Sequence, residues 1–129
     1  MRIISYSSII LIAISIFSCT KQKSTLFQMV PSNESGITFN NKIIETDSFN
    51  ILTSEYIFNG GGVAIGDFNN DELPDIFFSG NQVNNKLYLN LGDFKFKDVS
   101  KESGIEAIAQ WNTGVALADI NNDGYLDMY

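Results

Sequence analysis

Histidine is missing altogether from the 129 residues. Its absence removes histidine-based catalytic triads, histidine-ligated zinc and the commonest general base of enzymes. Cysteine occurs once, at Cys19, so no internal disulfide and no thiolate metal cluster can form. Basic residues are scarce: eight Lys plus Arg stand against fifteen Asp plus Glu, a formal charge of -7. That balance argues against nucleic acid and anionic membrane surfaces as partners and suits a binder of cations. The apolar run of residues 3–17 falls short of the ~20 residues that span a bilayer.

That run has a different reading. Met1-Arg2 gives a positive start, Ile, Leu and Ala dominate residues 3–17, and Ser18-Cys19 precedes the polar Thr-Lys-Gln-Lys-Ser. Charge, length and apolar core read as an export signal, with an uncleaved anchor as the rival. Ile16-Phe17-Ser18-Cys19 resembles a bacterial lipobox, in which the cysteine is lipidated and becomes the new N-terminus. Phe17 stands where a small residue is usual, so an ordinary signal peptide followed by a buried cysteine is the alternative. The lipobox reading predicts a signal peptide over 1–18, lipidation at Cys19 and, over 19–34, a tether that includes the possible ring-closing strand. The chain is then an outer-membrane-anchored lipoprotein, facing the periplasm or the outside, or else is secreted. Its only membrane contact is the lipid, which anchors stably through several acyl chains.

An internal repeat organises the rest. Aligned at an offset of 52, Gly62, Val63, Ala64, Asp67, Asn69, Asn70, Asp71 and Asp75 recur identically within 114–129. A weaker echo links Glu34-Ser-Gly-Ile37 to Glu102-Ser-Gly-Ile105, each preceded by an aromatic and a valine three apart. Residues 62–68 alternate large Val63 and Ile65 with small Ala64 and Gly66, which predicts a strand buried on both faces. Small residues on one face let a neighbouring layer come close. Residues 75–79, 86–90 and 94–98 read as three further strands, the last with Phe94 and Phe96 inward and Lys95 and Lys97 outward, as on an exposed edge. Residues 51–58 read as extended.

Four short antiparallel strands per ~50-residue period is the arithmetic of a β-propeller blade. The expected fold is therefore all-β, a partial β-propeller of about one and a half four-stranded blades, preceded by a signal peptide. Phe27–Val30 is expected to supply an outer strand that closes the ring, with a plain linker as the alternative. The second repeat stops inside its second strand, which reads as the N-terminal part of a longer protein.

The two most regular stretches carry the chemistry. In 119–127 oxygen-bearing side chains fall at positions 1, 3, 5 and 9, with glycine at 6. Calcium takes six to eight oxygens, and such a loop can offer Asp119, Asn121, Asp123, the carbonyl of Tyr125, and Asp127. In 67–75 the set is Asp67, Asn69, Asp71, the carbonyl of Leu73, and Asp75. An EF-hand is excluded, because position 12 of the first loop is Phe78 rather than glutamate and the flanks are strands. The competing reading is an Asx-rich turn without metal. Glu72 stands where Gly124 stands in the second loop, and Pro74 stiffens the first, so the first site is expected to be the weaker.

Residues 62–71 and 114–124 resemble FG-GAP/VCBS-type repeats, which build the seven-bladed propellers of integrin α-subunits and of many secreted bacterial proteins. With 35–41 and 59–63 added, residues 35–129 are similar to bacterial proteins of the cartilage-acidic-protein type. The resemblance implies structural calcium at the eight loop side chains named above, and names no ligand. It points to a binding or adhesion module at the bacterial cell envelope, with a protein or glycan partner and no catalytic residues. Alternatives are the N-terminal part of a secreted glycan-active enzyme, which needs paired carboxylates free of metal, and a purely structural spacer. Trp111, Tyr125 and Phe68 either line a binding surface or sit in the core.

Overall fold

The computed structural model describes residues 25–106 and 111–129. One short helix, α1 (Ser32–Ser35), precedes six strands: β1 (Val63–Gly66), β2 (Asp75–Phe78), β3 (Lys86–Asn90), β4 (Phe96–Asp98), β5 (Leu117–Ala118) and β6 (Asp127–Met128). β1 to β4 form one antiparallel sheet in sequence order, and β5 pairs with β6 in a second. The fold is thus all-β with antiparallel sheets. The repeat extends to register. Ile65 pairs with Ile76 and Gly66 with Asp75; at the same offset Leu117 pairs with Met128 and Ala118 with Asp127.

One face of the first sheet carries the core. Ala64, Phe77, Leu87 and Val99 are buried together, and Phe68, Leu89, Ile105, Val115, Leu117 and Met128 pack against them. Three of those six come from the second repeat, so the two sheets are held by apolar burial, worth roughly 1.5–3 kcal/mol per large side chain. The small residues of β1 permit the approach. A Cβ at Gly66 would lie 2.7 Å from Leu126 Cδ1 and 3.0 Å from Leu117 Cδ1.

The opposite face departs from expectation. Val63 is 58% and Ile65 65% exposed, so β1 is not buried on both faces. The segment crossing that face covers only its β2–β3 side. There Phe39 stacks on Phe78 at 4.8 Å, Phe78 meets Tyr88 edge-on at 5.9 Å, and the fully buried Tyr88 hydroxyl accepts the Thr38 N–H at 3.2 Å. Beside this cover an open groove of about 470 Å³ is lined by Ile37, Ile65, Ile76, Phe94 and Phe96 among others.

Phe27–Val30 pairs with neither of the two sheets, and Phe27 is 85% exposed. Two further expectations are corrected. Residues 51–58 are a run of turns rather than extended, because Asn50, Ser54 and Tyr56 carbonyls accept N–H groups three residues on. Phe94 belongs to the β3–β4 turn at φ 56°, not to β4, since Leu91 and Lys95 close the hairpin before it can join the strand. The lysine pattern holds: β4 is the outermost strand, with Lys95 and Lys97 exposed.

The weak sequence echo marks one local structure used twice. Ser35 N–H bonds the Pro31 carbonyl at 3.0 Å, and Ser103 N–H bonds that of Val99 at 2.9 Å. Each turn ends on a left-handed glycine, Gly36 at φ 78° and Gly104 at φ 71°, as helix ends commonly do. A cluster of amides then ties the segments together. Buried Asn81 exchanges two hydrogen bonds with Asn41, at 2.8 and 2.9 Å, and donates to the Asn112 carbonyl at 2.6 Å.

Candidate functional site

The β1–β2 and β5–β6 loops sit at the same end of the two sheets, and their side chains are arranged alike. Asp67 Oδ1 accepts the Asp71 N–H at 3.1 Å and its Oδ2 accepts that of Glu72 at 2.8 Å. Asp119 does the same for Asp123 at 3.1 Å and Gly124 at 2.9 Å. Asn69 Oδ1 accepts the Asp71 N–H at 3.2 Å and its amide donates to Asp71 Oδ2 at 2.8 Å; Asn121 repeats both bonds to Asp123, at 3.0 and 2.8 Å. Asp71 Oδ1 takes the Leu73 N–H and Asp123 Oδ1 the Tyr125 N–H, each at 2.9 Å. Asp75 Oδ2 accepts the Phe68 N–H and Asp127 Oδ2 that of Ile120, each at 3.0 Å.

Asx side chains bonding to the backbone a few residues on are the usual means of holding such a turn. Backbone conformation follows suit. Asn70 and Asn122 are both left-handed, at φ 58° and 57°, a region asparagine tolerates. Glu72 takes φ 68° where Gly124 takes 86°, so the glutamate does occupy a glycine-type conformation.

The loops differ in depth. Asp75 is fully buried, and its Oδ1 accepts the Asn90 N–H at 2.8 Å, pinning the first loop to β3. Asn90 also donates its side-chain amide to the Pro74 carbonyl at 2.8 Å. The two loops touch: the Asn70 amide donates to the Gly124 carbonyl at 3.1 Å. Asn90 and Asn70 are absent from the sequence-derived ligand set. Asn70 was visible as an identical repeat position, whereas nothing local marks Asn90 as a loop clamp.

The ten residues predicted as metal ligands therefore gather in two neighbouring loops, with Leu73 and Tyr125 placed by their N–H bonds. Among the described residues, no three His, Cys, Asp or Glu side chains converge as a ready metal cage. The carboxylates are spent instead on the loops' own N–H groups. Bonds from the Tyr125 N–H and the Asn121 amide hold the Asp123 carboxyl below its ordinary range. The ion pairs among the described residues lie elsewhere: Lys86 Nζ reaches Asp98 at 2.9 Å and Glu106 at 3.8 Å. The loop carboxylates thus have no described basic side chain beside them.

Of the three aromatics, Phe68 packs on the core. Tyr125 is 53% exposed. Trp111 lies at the far end of β2 from the acidic loops, bridging to Asn81 and meeting Phe49 edge-on at 5.4 Å. Cys19 and the apolar run lie outside the described residues. Among the described residues no helix is long and apolar enough to cross a membrane.

Comparison with known proteins agrees with this geometry. The FG-GAP-like repeat family matches residues 67–129, which contain both loops. Cartilage acidic protein 1 of Xenopus tropicalis is 39% identical over 69 residues, covering 54% of this chain but 11% of the relative. The human and mouse proteins of the same name are 38% and 36% identical over the same length, covering 10% and 11% of those relatives. The chain therefore corresponds to only about a tenth of the curated relatives it matches. No solved structure matches it.

Proposed function

This chain carries FG-GAP-like repeats, and from that premise we propose that it is a non-enzymatic binding module whose paired loops hold calcium. The observation supporting this is the duplicated all-oxygen loop. Six matched pairs of side-chain bonds shape the two loops around the same Asp and Asn oxygens, with no described basic side chain nearby. Three carboxylates in one short loop repel one another, and a hard cation relieves that repulsion.

The donors are of the hard oxygen type such an ion takes, and to close around it they would turn from the loops' own N–H groups. Asp67, Asn69, Asp71, Asp75 and the Leu73 carbonyl would hold it in the first loop. Asp119, Asn121, Asp123, Asp127 and the Tyr125 carbonyl would do so in the second. Its contribution is charge neutralisation and loop rigidity rather than chemistry on a substrate. The protein's own residues supply the rest: Asp75 and Asn90 fasten the loop to β3, and Asn70 couples the two loops. The export signal, the Cys19 lipid anchor and an envelope location extend the reading. On this reading the repeats work outside the cytoplasm, where a protein or glycan partner would meet their loop-lined face.

The experiment is a thermal melt of the full chain in mild detergent, with calcium, with magnesium and with chelator. A ligand that binds only the folded state at 100 times its dissociation constant adds ~2.7 kcal/mol. Calcium is expected to raise the midpoint and magnesium to leave it near the chelator value. A cooperative melt indifferent to calcium makes the loops plain Asx turns and overturns the proposal.

A further inference from the structure

At the end of the sheet away from the acidic loops lies a second cavity, of about 330 Å³. It is lined by Phe49, Ser54, Glu55, Tyr56, Ile57 and Trp111. Ile57 is its buried floor at 1% exposure, while Tyr56 and Trp111 remain 69% and 39% exposed. Two large rings stand partly open to water beside a buried aliphatic floor, an arrangement that suits a binding surface.

The lobe that carries the cavity is fixed by its own bonds. Thr46 and Phe49 exchange N–H to carbonyl bonds at 2.8 and 3.2 Å. The Asn50 amide donates to the Thr46 and Asp47 carbonyls at 3.0 and 3.2 Å. The Ile51 N–H donates to Glu45 Oε1 at 3.2 Å, and the Ile57 N–H to the Ser54 carbonyl at 3.1 Å. A pocket held this way is formed before its ligand arrives, which lowers the ordering cost of binding.

Charge selects the ligand. From 43 to 66 the sequence contains no lysine or arginine, but holds Glu45, Asp47 and Glu55. The one charged group in the cavity wall is Glu55. Aromatic faces beside a carboxylate attract a cation. A guanidinium satisfies both, stacking on a ring and forking onto the carboxylate. A neutral sugar would use the rings and waste the charge.

We infer that the Phe49–Tyr56–Trp111 pocket, with Glu55 in its wall, binds an arginine side chain presented by a protein partner. The inference rests on the binding-module reading for its partner and is independent of calcium, since the loops lie at the other end of β2.

Trp111 is the sole tryptophan, so its emission reports on the pocket. The full chain in detergent is titrated with a capped Gly-Arg-Gly peptide and with the same peptide carrying neutral citrulline. A saturable emission change is expected with arginine. Binding is expected to weaken about two- to fivefold with citrulline, with Glu55→Gln and with Tyr56→Leu, and to weaken further as salt rises. Glu55 and Tyr56 are exposed, so both variants keep the fold, as a melt verifies. Equal response to both peptides, or arginine binding that survives both substitutions, overturns the inference. So does the absence of any saturable change. A neutral cello-oligosaccharide that saturates where arginine does not overturns it while leaving the binding-module reading intact.

Discussion

Removing the Asp75 carboxylate separates a pinned loop from a merely polar turn. Asp75 is fully buried and takes two backbone N–H groups, those of Phe68 and Asn90, at 3.0 and 2.8 Å. Asp75→Ala leaves both donors without their acceptor. Each orphaned donor costs about 1–3 kcal/mol when buried; both are only part-buried here, so about 2–4 kcal/mol in total is expected. For a domain of this size each kcal/mol moves the midpoint by roughly 4–8 °C, so a fall on the order of 10–20 °C follows. The control is Asp127→Ala, whose carboxylate takes one N–H, that of Ile120, in an exposed setting; it should lose about 1 kcal/mol or less. Both are melted in chelator, followed by circular dichroism, so that no metal contributes. Equal, small losses for the two variants would refute the argument that burial and the bond to β3 distinguish the first loop.

Gly124→Ala is expected to cost about 1 kcal/mol in a chelator melt, because it places a side chain at φ 86°. If the loops hold calcium as proposed, Glu72→Gly, which frees the residue already held at φ 68°, should instead strengthen its binding at the first loop, read by calorimetric titration; no gain would remove backbone strain as a ground for expecting that site to be the weaker. Stability should also depend on pH through Asp98. Partial burial pushes its carboxyl up, but bonds from the Ser100 hydroxyl, Lys86 and the Ser100 N–H outweigh that and hold it below its ordinary value. A lowered folded value means stabilisation that is present above the ordinary carboxylate range and lost as pH falls through the folded value. Asp98→Asn should flatten that acid limb in pH-dependent melts. Lys86, raised mainly by its bond to Asp98, gives the opposite alkaline behaviour, with stability lost as pH climbs through its folded value.

The repeat was legible because its signals are local. Asp, Asn and Gly at fixed spacing dictate a turn whose side chains bond their own backbone, and all six bond types recur at the 52-residue offset. Alternation of Ala64 and Gly66 with Val63 and Ile65 likewise fixed the strand and the face that a neighbour approaches. Phe94 was misplaced because aromatic alternation cannot reveal that Leu91 and Lys95 close the hairpin first. The lobe 45–57 gave no periodic signal, since its order comes from Asn50, Thr53 and Glu45 bonding at short range to backbone groups.

Sequence by itself determined the strand pairing, the two loops and the Asx side chains that shape them, because each depends on residues within about twenty positions of one another. Only the tertiary structure decided which donors matter unequally. Asp75 is buried because β3 lies beside it, and Asn90 becomes a clamp because a strand fifteen residues away returns to the loop. The same is true of Trp111: eight residues separate it from Asp119 along the chain, yet the bridge to Asn81 carries it to the opposite end of the sheet. Chain distance sets which turns can form, but packing across the sheets sets what each side chain finally faces.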